Sequence, residues 1–214
     1  MRYFLTGTDT GVGKTYFTCW LVRAWLRAGL DAIALKPIAT GDREDARALH
    51  EAMGGRLTLD EINPLHFREP LAPLVAARAE GREINVPQLN AEIRARCMRH
   101  SHAAVEGVGG WRVPLAPGYD VSDWARDLGW PVVVVARGRL GTLNHTLLTV
   151  ESILAAGLNC AGVVLNPGAD NSPDFDFVVG GNAAVLRERL TLPVFEFTNA
   201  VAAAGEIPAW LAGK

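Results

Sequence analysis

Lysine is scarce in this chain: of 21 basic residues only Lys14, Lys36 and Lys214 are lysine, and arginine fills every other basic position. Where arginine serves so freely, an interior lysine marks a place that wants a compact ammonium instead of a planar guanidinium. Cysteine is equally sparse. Cys19, Cys97 and Cys160 are far apart, odd in number and without metal-ligand spacing, so they read as buried thiols. His100, His102 and His145 likewise lack partners at the spacing a metal site needs. Neither sign of charge dominates, and a formal charge of −2 gives no electrostatic reason to expect nucleic acid or a membrane as partner. No uninterrupted apolar run is long enough to cross a bilayer, and no basic stretch leading into an apolar core opens the chain. The expected location is the cytoplasm. Internal repeats and low-complexity segments are also missing.

What remains is a chain of 214 residues, 49% hydrophobic, which can bury one substantial core and is expected to form one domain over residues 1–214. Its most informative stretch is Gly7-Thr8-Asp9-Thr10-Gly11-Val12-Gly13-Lys14-Thr15, set between an apolar strand at Tyr3 to Leu5 and an amphipathic helix. Small residues let backbone N–H groups turn inward around a polyphosphate, Lys14 can reach its β and γ oxygens, and the Thr15 hydroxyl can ligate Mg²⁺. The usual spacing puts the first glycine at position 8; here it stands at Gly7, so the loop is a variant.

Beyond the loop, Phe17, Trp20, Leu21, Ala24, Trp25 and Ala28 recur at helical spacing up to Gly29. Ala32 to Leu35 form a second strand that Lys36-Pro37 ends, placing Lys36 at a strand's carboxyl end. Helices are predicted over 44–53, 71–80, 87–99, 122–128, 144–156 and 182–190. Strands are predicted at Ala103 to Val105, Pro131 to Ala136, Cys160 to Leu165 and 193–197. The continuous run Val132 to Val135 suits a strand covered on both faces. This alternation implies an α/β fold with a doubly wound, mostly parallel sheet and helices on both faces, of the phosphate-loop NTPase kind. Ligands gather at the carboxyl ends of such strands.

Those ends carry functional residue types. Glu106 closes one strand and leads into Gly107-Val108-Gly109-Gly110-Trp111, a carboxylate where a Mg²⁺ ligand is needed and glycines where backbone must approach phosphate. Thr40, Asp42 and Asp45 follow Lys36, with Asp45 the better metal candidate, although an acidic residue near a helix start also suits the helix dipole. Asn166 closes another strand before Pro167-Gly168; its amide can face a purine edge, and plain turn chemistry explains the triplet equally well. Free N–H groups at Gly141 to Asn144, where a helix begins, suit a carboxylate. The six tryptophans read as core or interface, with Trp111 set apart by its place against the glycine turn.

Taken together, YFLTGTDTGVGKT (from Tyr3), LKPIATG (from Leu35), EGVGGWRVPL (from Glu106) followed by Asp123-Trp124, RLGTLNHTLLT (from Arg139) and AGVVLN (from Ala161) resemble the dethiobiotin synthetase family. The displaced glycine is itself that family's GTDTxVGKT pattern. The resemblance implies an ATP-dependent ligase of biotin synthesis that joins CO₂ to 7,8-diaminopelargonate and closes a cyclic urea through a carbamic-phosphoric anhydride, giving dethiobiotin, ADP and phosphate. It implies catalytic roles for Lys36 and Lys14, and Mg²⁺ held by Thr15, Asp45 and Glu106. Nucleotide contacts would come from Gly11, Val12, Gly13, Lys14, Thr15, Tyr16, Asp45, Glu106, Gly107, Val108, Gly109, Asn166 and Pro167. Substrate contacts would come from Thr10, Thr40, Gly141, Thr142 and Asn144, the last three reaching a distant carboxylate across the interface of a homodimer.

Some positions depart from the pattern. Gly11 stands where some members carry an acidic residue, Pro167 where aspartate is common, and the segment from Val194 to Trp210 does not align with the loop that covers adenine. Two other readings share the phosphate loop. A partition or localisation ATPase normally places a signature lysine where this chain has Asp9. A corrinoid amidoligase relative generally carries a glutamine-hydrolysing domain, and no cysteine here sits in a nucleophile elbow.

Overall fold

Short apolar runs separated by amphipathic helices build one parallel sheet, and the path between them brings the candidate residues together. The protein is described by a computed structural model over residues 1–166 and 175–212. The first half runs β1 (Arg2–Gly7), α1 (Lys14–Arg27), β2 (Ala32–Leu35), β3 (Ile38–Thr40), α2 (Glu44–Ala52), α3 (Leu59–Ile62), β4 (Leu65–Phe67), α4 (Pro73–Ala79) and α5 (Val86–Cys97). The second runs β5 (His102–Glu106), β6 (Pro114–Ala116), β7 (Tyr119–Asp120), α6 (Val121–Leu128), β8 (Val132–Arg137), α7 (Thr142–Ala155) and β9 (Cys160–Asn166). It closes with α8 (Phe175–Arg189), β10 (Val194–Glu196), α9 (Asn199–Ala204) and α10 (Ala209–Ala212).

The main sheet has the order β10-β9-β8-β1-β5-β2, and every pairing in it is parallel. From β1 the chain first builds toward β2 and β5, then crosses to β8, β9 and β10. That reversal opens a crevice beyond the carboxyl end of β1. Val132 to Val135 are fully buried, as a strand covered on both faces should be, and each valine contributes roughly 1.5–3 kcal/mol relative to exposure. On α1 the buried residues Phe17, Leu21, Ala24 and Trp25 fall on one side. Gly29 and Leu30 then close the helix by donating backbone bonds to Leu26 and Trp25, each 3.0 Å.

Pro37 does more than stop a strand. The chain leaves the main sheet there, and β3 pairs in parallel with β4 in a separate two-stranded sheet that carries Thr40. That small sheet, the β6–β7 hairpin and helices α3, α9 and α10 are elements the sequence reading does not contain. The helix expected at 182–190 begins earlier, at Phe175, and the other expected helices and strands agree to within a few residues. The short C-terminal helices are pinned to the first structural unit: the Trp20 and Trp25 indoles donate to the carbonyls of Ala202 (3.2 Å) and Leu211 (2.9 Å), and the Tyr3 hydroxyl donates to Trp210. Cys19, Cys97 and Cys160 are free and buried, as expected. Among the described residues no helix is long and apolar enough to cross a membrane.

Candidate active site

The loop between β1 and α1 is shaped by two glycines. A Cβ on Gly7 would lie 2.9 Å from Lys14 Nζ and 2.8 Å from the Asp9 carbonyl, so the shifted glycine makes room for the lysine to fold back over the loop. Lys14 Nζ does so, donating to the Asp9 carbonyl at 3.1 Å. Gly13 has φ 90°, a left-handed conformation, and its missing Cβ would fall 1.8 Å from Asn166 Nδ2. That amide donates to the Val12 carbonyl at 2.9 Å. Asn166 therefore braces the phosphate loop across the sheet, a role that neither of the two sequence readings of this residue contains.

Three neighbouring strands, β1, β5 and β2, deliver the charged groups. Glu106 at the end of β5 is fully buried, and its Oε1 accepts from the Thr15 hydroxyl at 2.8 Å and from Lys36 Nζ at 2.5 Å. Lys36 Nζ also pairs with Asp45 Oδ2 at 2.8 Å. The Lys36 side chain is 5% exposed and that of Asp45 48%. Burial alone would depress the Lys36 pKa, but the two carboxylates more than offset it and hold the ammonium above its ordinary range. Burial of Asp45 works against its ionised form, and the charge and hydrogen bond of Lys36 outweigh that, lowering its pKa. Lys14 goes the other way: burial, then repulsion from Lys36, lowers it to about 8, with Glu106 and Asp45 only partly compensating.

Sequence reasoning misses the clamp that sets Lys36. Asn63 is buried, and its Nδ2 donates to the carbonyls of Lys36 (2.9 Å) and Leu65 (3.1 Å), while its Oδ1 accepts from Arg43 Nε at 3.0 Å. Arg43 stands at the start of α2, the helix that presents Asp45, and also donates to the carbonyls of Leu59 and Asn63. Lys36 and Asp45 are thus fixed from one point. A readable signal existed: Thr58 and Glu61 form a capping box that ends in Asn63-Pro64.

Over these groups lies a cavity of about 660 Å³ that includes Thr10, Gly11, Gly13, Lys14, Thr15, Tyr16, Lys36, Thr40, Asp45, Glu106, Val108 and Gly109. Val12 and Gly107 do not line it, and Pro167 is outside the described residues. Gly141, Thr142 and Asn144, at the start of α7, do not line it. Trp111 is also not a wall residue; it is buried and donates to Ser152 Oγ on α7 at 3.0 Å.

Glu106 Oε2 is buried with no hydrogen-bond partner, an acceptor held ready for a cation beside the Thr15 hydroxyl. Among the described residues no group of three or more His, Cys, Asp or Glu could hold a metal unaided. The donor set fits Mg²⁺, which takes one or two carboxylates and completes its shell with phosphate oxygens and water. Chemically, the cavity offers two ammonium groups, loop N–H groups and the Glu106 and Thr15 oxygens, a set able to neutralise a polyphosphate and its cation.

A family model described as an AAA domain matches residues 1–208. The chain is 50% identical over 192 residues to the ATP-dependent dethiobiotin synthetase BioD of Anaeromyxobacter dehalogenans, covering 88% of this chain and 84% of that one. It is 43% identical over 195 residues to the BioD of Akkermansia muciniphila, covering 91% and 90%. Among solved structures, the septum site-determining protein MinD complexed with Mg-ADP from Pyrococcus horikoshii superposes with a TM-score of 0.55 at 15% identity, covering 100% of this chain and 92% of that one. The signal recognition particle receptor FtsY from Elizabethkingia anophelis gives 0.56 at 12%, and the match spans 99% of this chain and 63% of the receptor. These two share the fold.

Proposed function

This chain belongs to the ATP-dependent dethiobiotin synthetase family, and from that premise we propose that its cavity joins CO₂ to 7,8-diaminopelargonate and closes the ureido ring of dethiobiotin with ATP. The observation that carries the proposal is Lys36, buried at a strand end between Glu106 and Asp45 and facing the same cavity as the phosphate loop.

One amine of the diamine captures CO₂ as a carbamate. The carbamate oxygen attacks the γ-phosphorus and ADP leaves, forming the mixed anhydride. The second amine attacks the carbamoyl carbon and expels phosphate. None of these steps needs a covalent nucleophile from the protein; they need anions brought together and neutralised. Lys36, kept cationic by its two carboxylates, offers a fixed positive charge to the carbamate and γ-phosphate, and Lys14 offers a second to the β and γ oxygens. Thr15 and Glu106 would hold Mg²⁺, with Asp45 at the half-exposed edge of the same cluster. Mg²⁺, when bound, would supply neutralisation of the phosphates' charge. Thr10 and Thr40 line the cavity where the diamine's reacting end would bind.

A homodimer completes this reading. Gly141, Thr142 and Asn144 would receive the substrate's distant carboxylate from the facing subunit. Leu140, 97% exposed beside them, and Leu148, 57% exposed on α7, support an apolar contact there. The free thiols of the three cysteines support a cytoplasmic setting. A localisation-type ATPase is less well supported, since the 15% identity to MinD contrasts with 50% to a synthetase.

The test is phosphate release from MgATP with the diamine and bicarbonate, each omitted in turn, with the product weighed by mass spectrometry. Release that needs every component and yields the cyclic urea is the expected result. ATP turnover indifferent to the diamine would overturn the substrate assignment.

A further inference from the structure

Tyr16 stands immediately after Thr15 in the first turn of α1, lines the cavity and is 55% exposed. Its aromatic ring stands at the rim of a polar cavity, packed on one side and open on the other. Its ring is tilted against that of Phe197, with centroids 5.5 Å apart. Phe197 is buried and held in turn by Phe17 and Trp20, at 5.1 and 5.0 Å. One side of Tyr16 is therefore backed by a packed aromatic cluster joining α1 to the segment after β10.

The sheet order gives the cavity a direction. Lys36 and Glu106 lie at the ends of β2 and β5 on one side of the phosphate loop, and Phe197 follows β10 at the opposite edge. A polyphosphate with its γ end at Lys36 and its chain along Gly11 to Thr15 extends its nucleoside toward Tyr16. Asn166, on β9 nearby, already gives its amide to the Val12 carbonyl as a brace on the loop. A flat aromatic face at the right end of the cavity is what a nucleobase needs from Tyr16.

We propose that Tyr16 is a nucleoside-binding residue whose ring stacks against the base of ATP. The inference rests on the reading of this cavity as the ATP site. Replacing one stacking aromatic by alanine weakens binding by roughly five- to 150-fold.

The experiment is calorimetric binding of MgATP and of Mg-tripolyphosphate to the full chain, wild type against Tyr16→Ala, Tyr16→Phe and Tyr16→Trp. Tyr16→Ala should raise the Kd for MgATP at least about fivefold, leave that for tripolyphosphate within twofold, and be rescued by both aromatic replacements. An unchanged Kd for MgATP in Tyr16→Ala, or an equal loss for tripolyphosphate, overturns the stacking role. Equal loss by Tyr16→Phe and Tyr16→Ala would assign the effect to the hydroxyl and overturn it too. A wild-type chain that binds tripolyphosphate but gains nothing from the nucleoside also overturns it. A wild type that binds neither would overturn the ATP-site reading along with it.

Discussion

Removing Lys36 should damage the fold as much as the chemistry, and through one partner only. The Lys36→Met change keeps the side chain's length and leaves two carboxylates without their cation. Asp45 is half-exposed and can take water in its place. Glu106 is fully buried, with Oε2 already unpartnered and only the Thr15 hydroxyl left on Oε1. Stranding one charge of a buried pair costs about 3–5 kcal/mol. For a chain of this size each kcal/mol moves Tm by about 2–4 °C, so the midpoint should fall by roughly 6–20 °C. Asp45→Asn, which removes the exposed arm of the same cluster, should cost less than about 1 kcal/mol. The discriminating variant is Lys36→Met combined with Glu106→Gln, which leaves no buried charge and keeps an acceptor for Thr15. It should recover about 2 kcal/mol or more of the single-mutant loss. Thermal and urea unfolding of these three variants and of Glu106→Gln alone measure all of this. Additive losses in the double variant would show that the fold does not depend on the pair, and the account of why Lys36 stays cationic would fall with it.

Two further outcomes follow from the loop. Lys14 has its pKa lowered to about 8 in the free protein, and a bound polyphosphate should raise it. ATP binding should then take up roughly 0.7 proton per site at pH 8.5 and far less at pH 7, read from calorimetry in buffers of different ionisation enthalpy; no uptake at pH 8.5 would refute the shift. By the same sign, the free protein gains stability from this group as pH rises from about 8 toward 10.5, where the unfolded chain holds more protons. Gly13→Ala meets both a left-handed φ and the Asn166 amide. It should abolish detectable ATP binding, and adding Asn166→Ala should relieve the overlap but leave about 1–3 kcal/mol of backbone strain. Full recovery in that double variant would show that the clash alone forbids a side chain there.

The phosphate loop, the main strands and the strand-end positions of Lys36 and Glu106 were legible because each depends on local pattern: a glycine loop between strand and helix, an apolar run, a proline that ends it. What escaped was non-local. The sequence makes Asp45 a metal candidate because it follows Lys36 closely, but its ion pair with Lys36 depends on packing that brings α2 beside that strand end. Asn166 reaches Val12 across 154 residues of sequence, and no turn statistic encodes that bond. The Asn63–Arg43 clamp exists only because β2 leaves the sheet at Pro37 and pairs again as β3. Helices of four and six residues, α10 and α9, carry too few periodic positions to register, and indole bonds from α1 anchor them.

That the two interior basic residues are lysine has its physical reason in this cavity. Lys36 makes short contacts to single oxygens of two separate carboxylates, 2.5 and 2.8 Å away, which suits an ammonium with donors around one atom and not a planar fork built for two oxygens of one partner. Lys14 must fold back over a loop with no room for a Cβ at Gly7, and a guanidinium would not fit the same space. The two ammonium groups are then driven apart in proton affinity by what surrounds them. Lys36 is held charged by carboxylates that are part of the fold, while Lys14 is buried and only partly compensated, so a bound polyphosphate should raise its proton affinity. One cation is set by the fold itself, and the other is left for an anionic ligand to complete.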